Sequence, residues 1–366
     1  MTPDPGLASW LQLALTPGLG AAAILQLLRQ FGPPENVLAA KRAQLERFAP
    51  ATAIEALHSE KVAGAVQGAL SWLEQPGNAV VTLGDAGYPK LLLEIPDPPL
   101  LLYCRGALSL LDRPALAIVG SRNATTQGLR NAEQFARAFS EAGLTVISGL
   151  AQGIDAAAHR GGLAAAGSTI AVLGTGADVN YPPANAALAA EIAQRGLLVS
   201  EFPLGSAPSA HNFPRRNRVI SGLAQGCVVV EAALASGSLI TARAAAEQGR
   251  EVFALPGSIH SPLAKGCHAL IKSGAKLVES AEDVLSELRG FQPSGFASTR
   301  AADDVPDAAP PAEEPLLAHM GDDPVDVDSL CMRAGLPAGR IAAELLRLEL
   351  AGRVAALPGG LYQRLH

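Results

Sequence analysis

From Pro114 to about Leu288, short apolar runs alternate with helix-like runs, and few architectures accept that pattern. The apolar runs fall at 115–119, 144–148, 169–173, 197–200, 227–230 and 251–254. Most are separated by stretches of roughly 10–16 residues rich in Ala, Leu, Glu and Gln, a length that suits crossover helices. Runs so short and so continuously apolar suit strands buried on both faces. The alternation predicts an α/β fold, βαβ units on a parallel sheet with connections on both faces. In such a sheet the ligand crevice lies beyond the carboxyl ends of the strands. Those ends are rich here in Gly, Ser, Arg and Asn.

A chain of 366 residues is too long for one ordinary domain. Residues 1–75 predict a helical domain, with apolar spacings near 3.6 over Leu7–Leu15, Ala21–Phe31 and Glu55–Leu73. Thr16-Pro-Gly-Leu-Gly20 reads as a turn between two of these helices, resembling a helix-hairpin-helix turn. Residues 76–290 predict the sheet core with an amino-terminal extension, in which Val80–Leu83 is a strand and Leu100–Tyr103 adds an edge strand. The Ala-, Pro-, Ser- and Asp-rich stretch 291–312 reads as a flexible linker. Residues 313–366 predict three helices and a small hairpin around Pro358-Gly-Gly360, which together spell a winged helix. Its third helix, from about Pro337 to Leu350, offers Arg340 and Arg347 as reading residues, diluted by Glu344 and Glu349.

The net charge of −6 argues superficially against a nucleic-acid partner. Residues 291–330 hold nine acids and one base, so the remainder of the chain sums to +2 and has room for a focused basic site. No apolar run is long and uninterrupted enough to predict a membrane span. The amino terminus carries no basic stretch of a signal peptide. The four cysteines are scattered without a Cys-x-x-Cys pair, which predicts reduced thiols and a cytoplasmic chain.

Gly120-Ser-Arg122 follows the first strand and precedes a helix starting near Thr125 or Thr126, where free N–H groups favour an anion and Arg122 adds a bidentate contact. After the second strand, Gly149 lets the backbone approach a ligand and Gln152 offers an amide. Asp155 is a helix-capping candidate, and His159 shares its face four residues on. With no third ligand at suitable spacing, no metal site is predicted. After the third strand, Tyr181 is placed either to stack on a base or to pack at the rim. Phe213-Pro-Arg-Arg-Asn-Arg218 is the strongest chemical feature. Arg215, Arg216 and Arg218 cannot all face one way if 216–223 is helical, so at least one turns inward while the others meet phosphates. Asn217 fixes the loop or bonds a base edge, and Phe213 supplies an aromatic. Ser236-Gly-Ser-Leu-Ile-Thr241, with Ser238 and Thr241, forms a second anion-friendly cradle. Glu231, at the fifth strand's end, is read as a clamp on an arginine of the 215–218 cluster. Pro256, Gly257, Ser261, Gly266 and His268 close the crevice, with Lys265 adding charge. Without a Gly-x-Gly-x-x-Gly turn or an acidic ribose ligand, no dinucleotide cofactor is expected.

Taken together, Ala117–Arg122, Val146–His159, Thr169–Gly174, Phe213–Arg218, Val230–Ala232, Ser236–Ala242 and Val252–Gly257 resemble the DNA processing protein A family, also called the Smf family. The resemblance extends to the amino-terminal helices, similar to a sterile-alpha-motif domain, and to the winged-helix-like end. It implies a Rossmann-like core that binds single-stranded DNA without sequence preference and carries out no covalent chemistry. It also implies a homodimer that protects incoming strands in natural transformation, displaces single-strand-binding protein and loads the RecA recombinase. Arg122 matches the family's phosphate-binding arginine, and Ser121, Gly149, Arg216, Asn217, Arg218, Ser238 and Thr241 fall on its pocket motifs. Two positions depart from the pattern: Pro183 stands where many members carry Lys after the Tyr-Pro pair, and His268 where they usually have Asn.

Two rivals remain open on sequence. One is a nucleoside-monophosphate phosphoribohydrolase-like enzyme, for which Glu231 and Arg218 are the available chemistry, although a Pro-Gly-Gly-x-Gly-Thr loop is missing. The other is a transcriptional regulator driven by the winged-helix end.

Overall fold

The computed structural model describes residues 5–288, 315–321, 324–357 and 359–365. They divide into two compact units, the first drawn from Met1–Ala124 and Leu129–Ser294, the second from Thr125–Gly128 and Gly295–His366. The stretch 291–312 lies outside the described residues.

The first unit is built on a nine-stranded sheet. Its strands are β1 (Asn78–Thr82), β2 (Leu101–Gly106), β3 (Ala115–Val119), β4 (Thr145–Ser148), β5 (Thr169–Val172), β6 (Leu197–Ser200), β7 (Gly226–Val229), β8 (Glu251–Ala254) and β9 (Lys276–Leu277). The spatial order is β1-β2-β6-β5-β4-β3-β7-β8-β9. Strands β3 to β9 run parallel, while β2 pairs antiparallel with β6 and β1 antiparallel with β2. Leu101–Gly106 is therefore not the edge expected of it, because β1 covers its outer side. The chain steps from β3 through β4 and β5 to β6, then returns to the far side of β3 for β7, β8 and β9. The order reverses between β3 and β7, and open α/β sheets bind ligands at that reversal.

Alternation along each strand sends side chains to two cores. Leu116 and Ile118 of β3 face Phe135, Phe139 and Ala157, on the helices Thr126–Glu141 and Ile154–Leu163. Ala115, Ala117 and Val119 face Val219, Ile220, Leu239 and Ala242, on the helices Asn212–Gly222 and Ser238–Glu247. Each fully buried large side chain, such as Phe139, contributes about 1.5–3 kcal/mol by leaving water. Small Ala positions on the second face let the arginine-bearing helix lie close to the sheet.

The amino-terminal helices belong to the same unit. They span Pro5–Leu15, Ala21–Phe31, Pro34–Ala39, Arg42–Leu45, Ala51–Ala56 and Glu60–Leu73. The helix expected over Glu55–Leu73 is broken, because the Ser59 hydroxyl accepts from the Val62 N–H and caps a new start. Gly18, at φ +77°, makes the turn between the first two helices. Trp72 meets Tyr103 of β2 edge to face at 5.9 Å and joins this region to the sheet.

The second unit is a winged helix. Its helices are Pro315–Met320, Val327–Ala334 and Ala338–Leu350, and its strands pair in the order Val325–Asp326, Leu361–Arg364, Val354–Leu357. Asp326 caps the second helix by accepting from Ser329 N at 2.7 Å, and Gly335 in the left-handed region ends it. Arg347 is held by Glu344. Among the described residues no helix is long and apolar enough to cross a membrane.

Candidate nucleic-acid interface

A crevice of about 840 Å³ opens at the reversal between β3 and β7. Its walls come from Gly120–Asn123 after β3, Ala151 and Asp155 after β4, Tyr181 after β5, residues 208–210, Phe213, Pro214, Arg216 and Asn217 of the arginine helix, Ala233 and Ala235–Ser238 with Thr241 after β7, and Leu263.

The Gly-Ser-Arg turn is fixed through its backbone. Ser121 N–H donates to the Glu231 carbonyl at 2.7 Å, and the Ser121 carbonyl accepts from Ile154 N at 3.1 Å, which couples the ends of β3, β4 and β7. Arg122 is left exposed, with its guanidinium carbon 5.7 Å from the Phe213 ring centroid. Tyr181 also meets Phe213, with ring centroids 5.6 Å apart and planes tilted by 37°. A cation and two rings therefore share one rim, and Tyr181 is 38% exposed.

The opposite wall is the start of the helix Ser238–Glu247. Leu239 N and Ile240 N already donate to the Ser236 and Gly237 carbonyls at 3.1 Å, so what this end offers an anion is the hydroxyls of Ser236, Ser238 and Thr241 and the positive end of the helix dipole. Ser236 and Ser238 share a hydroxyl hydrogen bond of 2.7 Å, and Asn217 Nδ2 donates to the Gly237 carbonyl at 3.4 Å. Both expected anion cradles thus line one crevice.

Arg216 forms the floor and is 5% exposed. It donates to the carbonyls of Gly149 and Val172, and its Nε to Asn217 Oδ1. Burial pulls its guanidinium down to about 10, with Asp155 opposing and Arg122 adding to the shift. Burial pushes the Asp155 carboxyl up, while Arg216 and the N–H groups of Ala151 and Gly149 hold it back. Asp155 accepts from Gly149 N at 3.1 Å and Ala151 N at 3.4 Å, so it braces the loop ahead of its own helix. His159 braces the same loop. Its Nε2 accepts from Leu150 N at 3.2 Å, and Nδ1 meets Thr169 Oγ1 at 2.7 Å. The Thr169 hydroxyl hydrogen goes to the Val146 carbonyl, so the imidazole must carry its proton on Nδ1. Leu150 sits at φ +58°, an unfavourable backbone for leucine that these contacts maintain. Asn185 completes the bracing by donating to the Leu150 and Ala151 carbonyls.

Several expected positions fall elsewhere. Arg218 leaves the crevice lining and pairs with Glu201 and, at 3.3 Å, with Asp97. The partners that clamp Arg218 are Glu201 and Asp97, while Glu231 gives its backbone carbonyl to Ser121. Arg215 is exposed over the Phe202 ring at 5.6 Å and does not line the crevice. A helix beginning at Asn212 explains the divergence: successive residues turn by about 100°, so Arg215, Arg216 and Arg218 face three ways. Gly149 lies beneath Arg216 rather than against a ligand, and Gln152 is exposed outside the lining. Lys265 donates its Nζ to the Ile259 carbonyl. Of the segment expected to close the crevice, Leu263 lines it, whereas His268 bonds the Gly257 carbonyl at 3.0 Å. Pro183 is exposed, in the short 3-10 turn Pro183–Asn185. Glu201 was missed although it follows β6 directly, the same strand-end signal that drew attention to Glu231.

A doubly wound α/β sheet with an anion-favouring crevice at its switch point defines a phosphate-binding class of fold, here joined to a winged helix. Residues 79–289 match the family described as DNA recombination-mediator protein A, and residues 300–360 the DprA winged helix domain. Protein Smf of Escherichia coli strain K12 is 47% identical over 82% of this chain and 81% of its own, and Protein Smf of Synechocystis is 36% identical over 98% of each. The crystal structure of DNA processing protein A from Streptococcus pneumoniae superposes with a TM-score of 0.68 at 40% identity, covering 79% of this chain and 99% of that one. A Helicobacter pylori DNA processing protein A, whose structure is described as giving insight into a unique single-stranded DNA binding mode, has a TM-score of 0.52 at 31% identity, over 56% of this chain and 93% of that one. The chain belongs to the DNA processing protein A (DprA/Smf) family.

Proposed function

We propose that the crevice grips single-stranded DNA without reading its sequence and leaves it chemically intact. The observation that carries this is the pairing of two anion seats, Gly120–Arg122 and Ser236–Thr241, with the half-buried Phe213 ring and the exposed Tyr181 ring at one rim. Phosphates meet N–H groups, hydroxyls and Arg122, while any base stacks on a ring face, which is tolerant of sequence. Gly120, Ser121, Asn217, Ser238 and Thr241 complete the contact set, with Arg216 as the buried floor. Asp155, the carboxylate in the lining, is occupied by backbone N–H groups, which supports binding over cleavage. The Helicobacter pylori relative's described binding mode supports the same ligand class.

In this reading the protein works as a homodimer in the cytoplasm, protects incoming strands during natural transformation, displaces single-strand-binding protein and loads RecA. Two pockets on one strand raise apparent affinity through effective concentration. The test is a salt titration of labelled oligonucleotide binding, single-stranded against duplex, with Arg122→Ala alongside. Binding should favour the single strand, and the variant should weaken all sequences alike and reduce the salt slope by about 1. Unchanged affinity in the variant overturns the site. Base release from nucleoside monophosphates would support the phosphoribohydrolase-like alternative instead.

A further inference from the structure

A second groove, of about 1280 Å³, lies between the amino-terminal helices and the outer edge of the sheet. Its walls are apolar, with Leu7, Trp10, Leu28, Leu70 and Leu73, and one side is the strand β1. Continuation of the β1–β2 ladder joins Gly106 N to Gly77 O and Leu83 N to Leu100 O, so odd-numbered residues of β1 bond to β2. The even-numbered residues therefore aim their N–H and C=O groups at the free edge. Three of these groups are taken: Asn78 N by Gln75 O, Thr82 N by the Asp85 carboxylate, and Thr82 O by Asp85 N. Among the described residues no hydrogen bond takes either outward group of Val80, which leaves both for a partner in the groove. The hydroxyl of Thr82, a residue 2% exposed in the same wall, also lacks a hydrogen-bond partner. The charged lining residues are Glu35, Glu74 and Asp85, with no lysine or arginine among them. Glu35 and Glu74 are exposed and enter no ion pair among the described residues.

We propose that this groove docks an extended peptide segment of another protein, with alternating apolar and basic side chains, as a further strand on β1. Backbone pairing to Val80 gives the segment its direction, alternate apolar side chains enter the groove, and its lysines or arginines meet Glu35 and Glu74. The chain's own segment 291–330, with nine acids and one base, has the wrong charge for this acidic rim.

The probe is a fluorescent Lys-Val-Lys-Ile-Lys-Val-Lys peptide, titrated against the full chain by anisotropy. We expect saturable binding, weakened about tenfold when the central Ile becomes Pro and the pairing N–H is lost at unchanged charge. The double variant Glu35→Lys/Glu74→Lys should weaken it by about the same factor and leave oligonucleotide binding as it was. Val80→Pro removes the outward N–H without touching a β2 bond and should act likewise. Equal affinity for the Pro peptide, or for the charge-reversed protein, overturns the proposal. So does a change of oligomeric state in the double variant by sedimentation, since a second copy would then be the occupant.

Discussion

The Arg216 guanidinium occupies the space that a side chain on Gly149 would need. A Cβ placed on Gly149 would fall 2.6 Å from the Arg216 Cζ, inside van der Waals contact. The pair joins the arginine helix to the end of β4, with the Gly149 carbonyl accepting from Arg216. Gly149→Ala should therefore destabilise the fold by about 1–3 kcal/mol through overpacking. It should also loosen oligonucleotide binding, because the floor moves. Thermal unfolding and anisotropy check this together, and an unchanged melting temperature contradicts it.

Arg218 and Arg122 should behave as opposites. Arg218 is mostly buried against Glu201, whose side chain is 7% exposed. Arg218→Ala strands that carboxylate and should cost about 3–5 kcal/mol in denaturant unfolding. Asp97, the other partner, is 57% exposed, so Asp97→Asn should cost about 0–1 kcal/mol. Arg122→Ala, by contrast, should leave stability nearly unchanged and affect only DNA affinity.

His159 should make stability depend on pH. Burial, with Arg216 and Arg160 adding to it, pulls the imidazole from its usual 6.5 down to about 3. Between those values the unfolded chain holds a proton that the native chain does not. The contribution is therefore fully present above pH 6.5 and falls by about 1.4 kcal/mol per unit as pH drops toward 3. Protonated Nε2 would also face the Leu150 N–H, donor against donor. His159→Gln should flatten this limb of the curve; equal slopes for variant and parent in urea unfolding from pH 7 to 4.5 would contradict the assignment.

Phe213 should be the base platform. Replacing the ring by leucine retains apolar bulk but removes the stacking face and the contact with Arg122. Phe213→Leu should lose about 1–3 kcal/mol of single-strand affinity, similarly for every base composition. A loss confined to one base type would instead indicate hydrogen-bond readout.

The strands of the parallel core were legible because their apolar runs are continuous and bounded by glycine-rich turns. The Gly120–Arg122 and Ser236–Thr241 turns were legible because a strand end followed by a helix start is a local signal. What the sequence concealed was direction. Arg215, Arg216 and Arg218 look equivalent in the string, yet one step of helical rotation sends Arg216 under Gly149 and Arg218 to Glu201. Glu201 and Glu231 follow comparable strands, and only the sheet order decides which stands beside Arg218. Lys265 reads as a free cation, but its ammonium reaches a carbonyl of its own loop. The interior position of Leu101–Gly106 depended on whether β1 would cover it, a long-range pairing with no local trace.

The first parallel strand laid down, β3, ends up in the middle of the sheet, and the wall facing its Ser121 comes from Ser236–Thr241 much later in the chain. Neither half of the polypeptide contains a working half of the trough. A nascent or truncated product ending before β7 would carry the exposed Arg122 and its neighbouring rings with nothing opposite them. Competence to hold a strand should accordingly arrive all at once, late in synthesis, and not accumulate domain by domain.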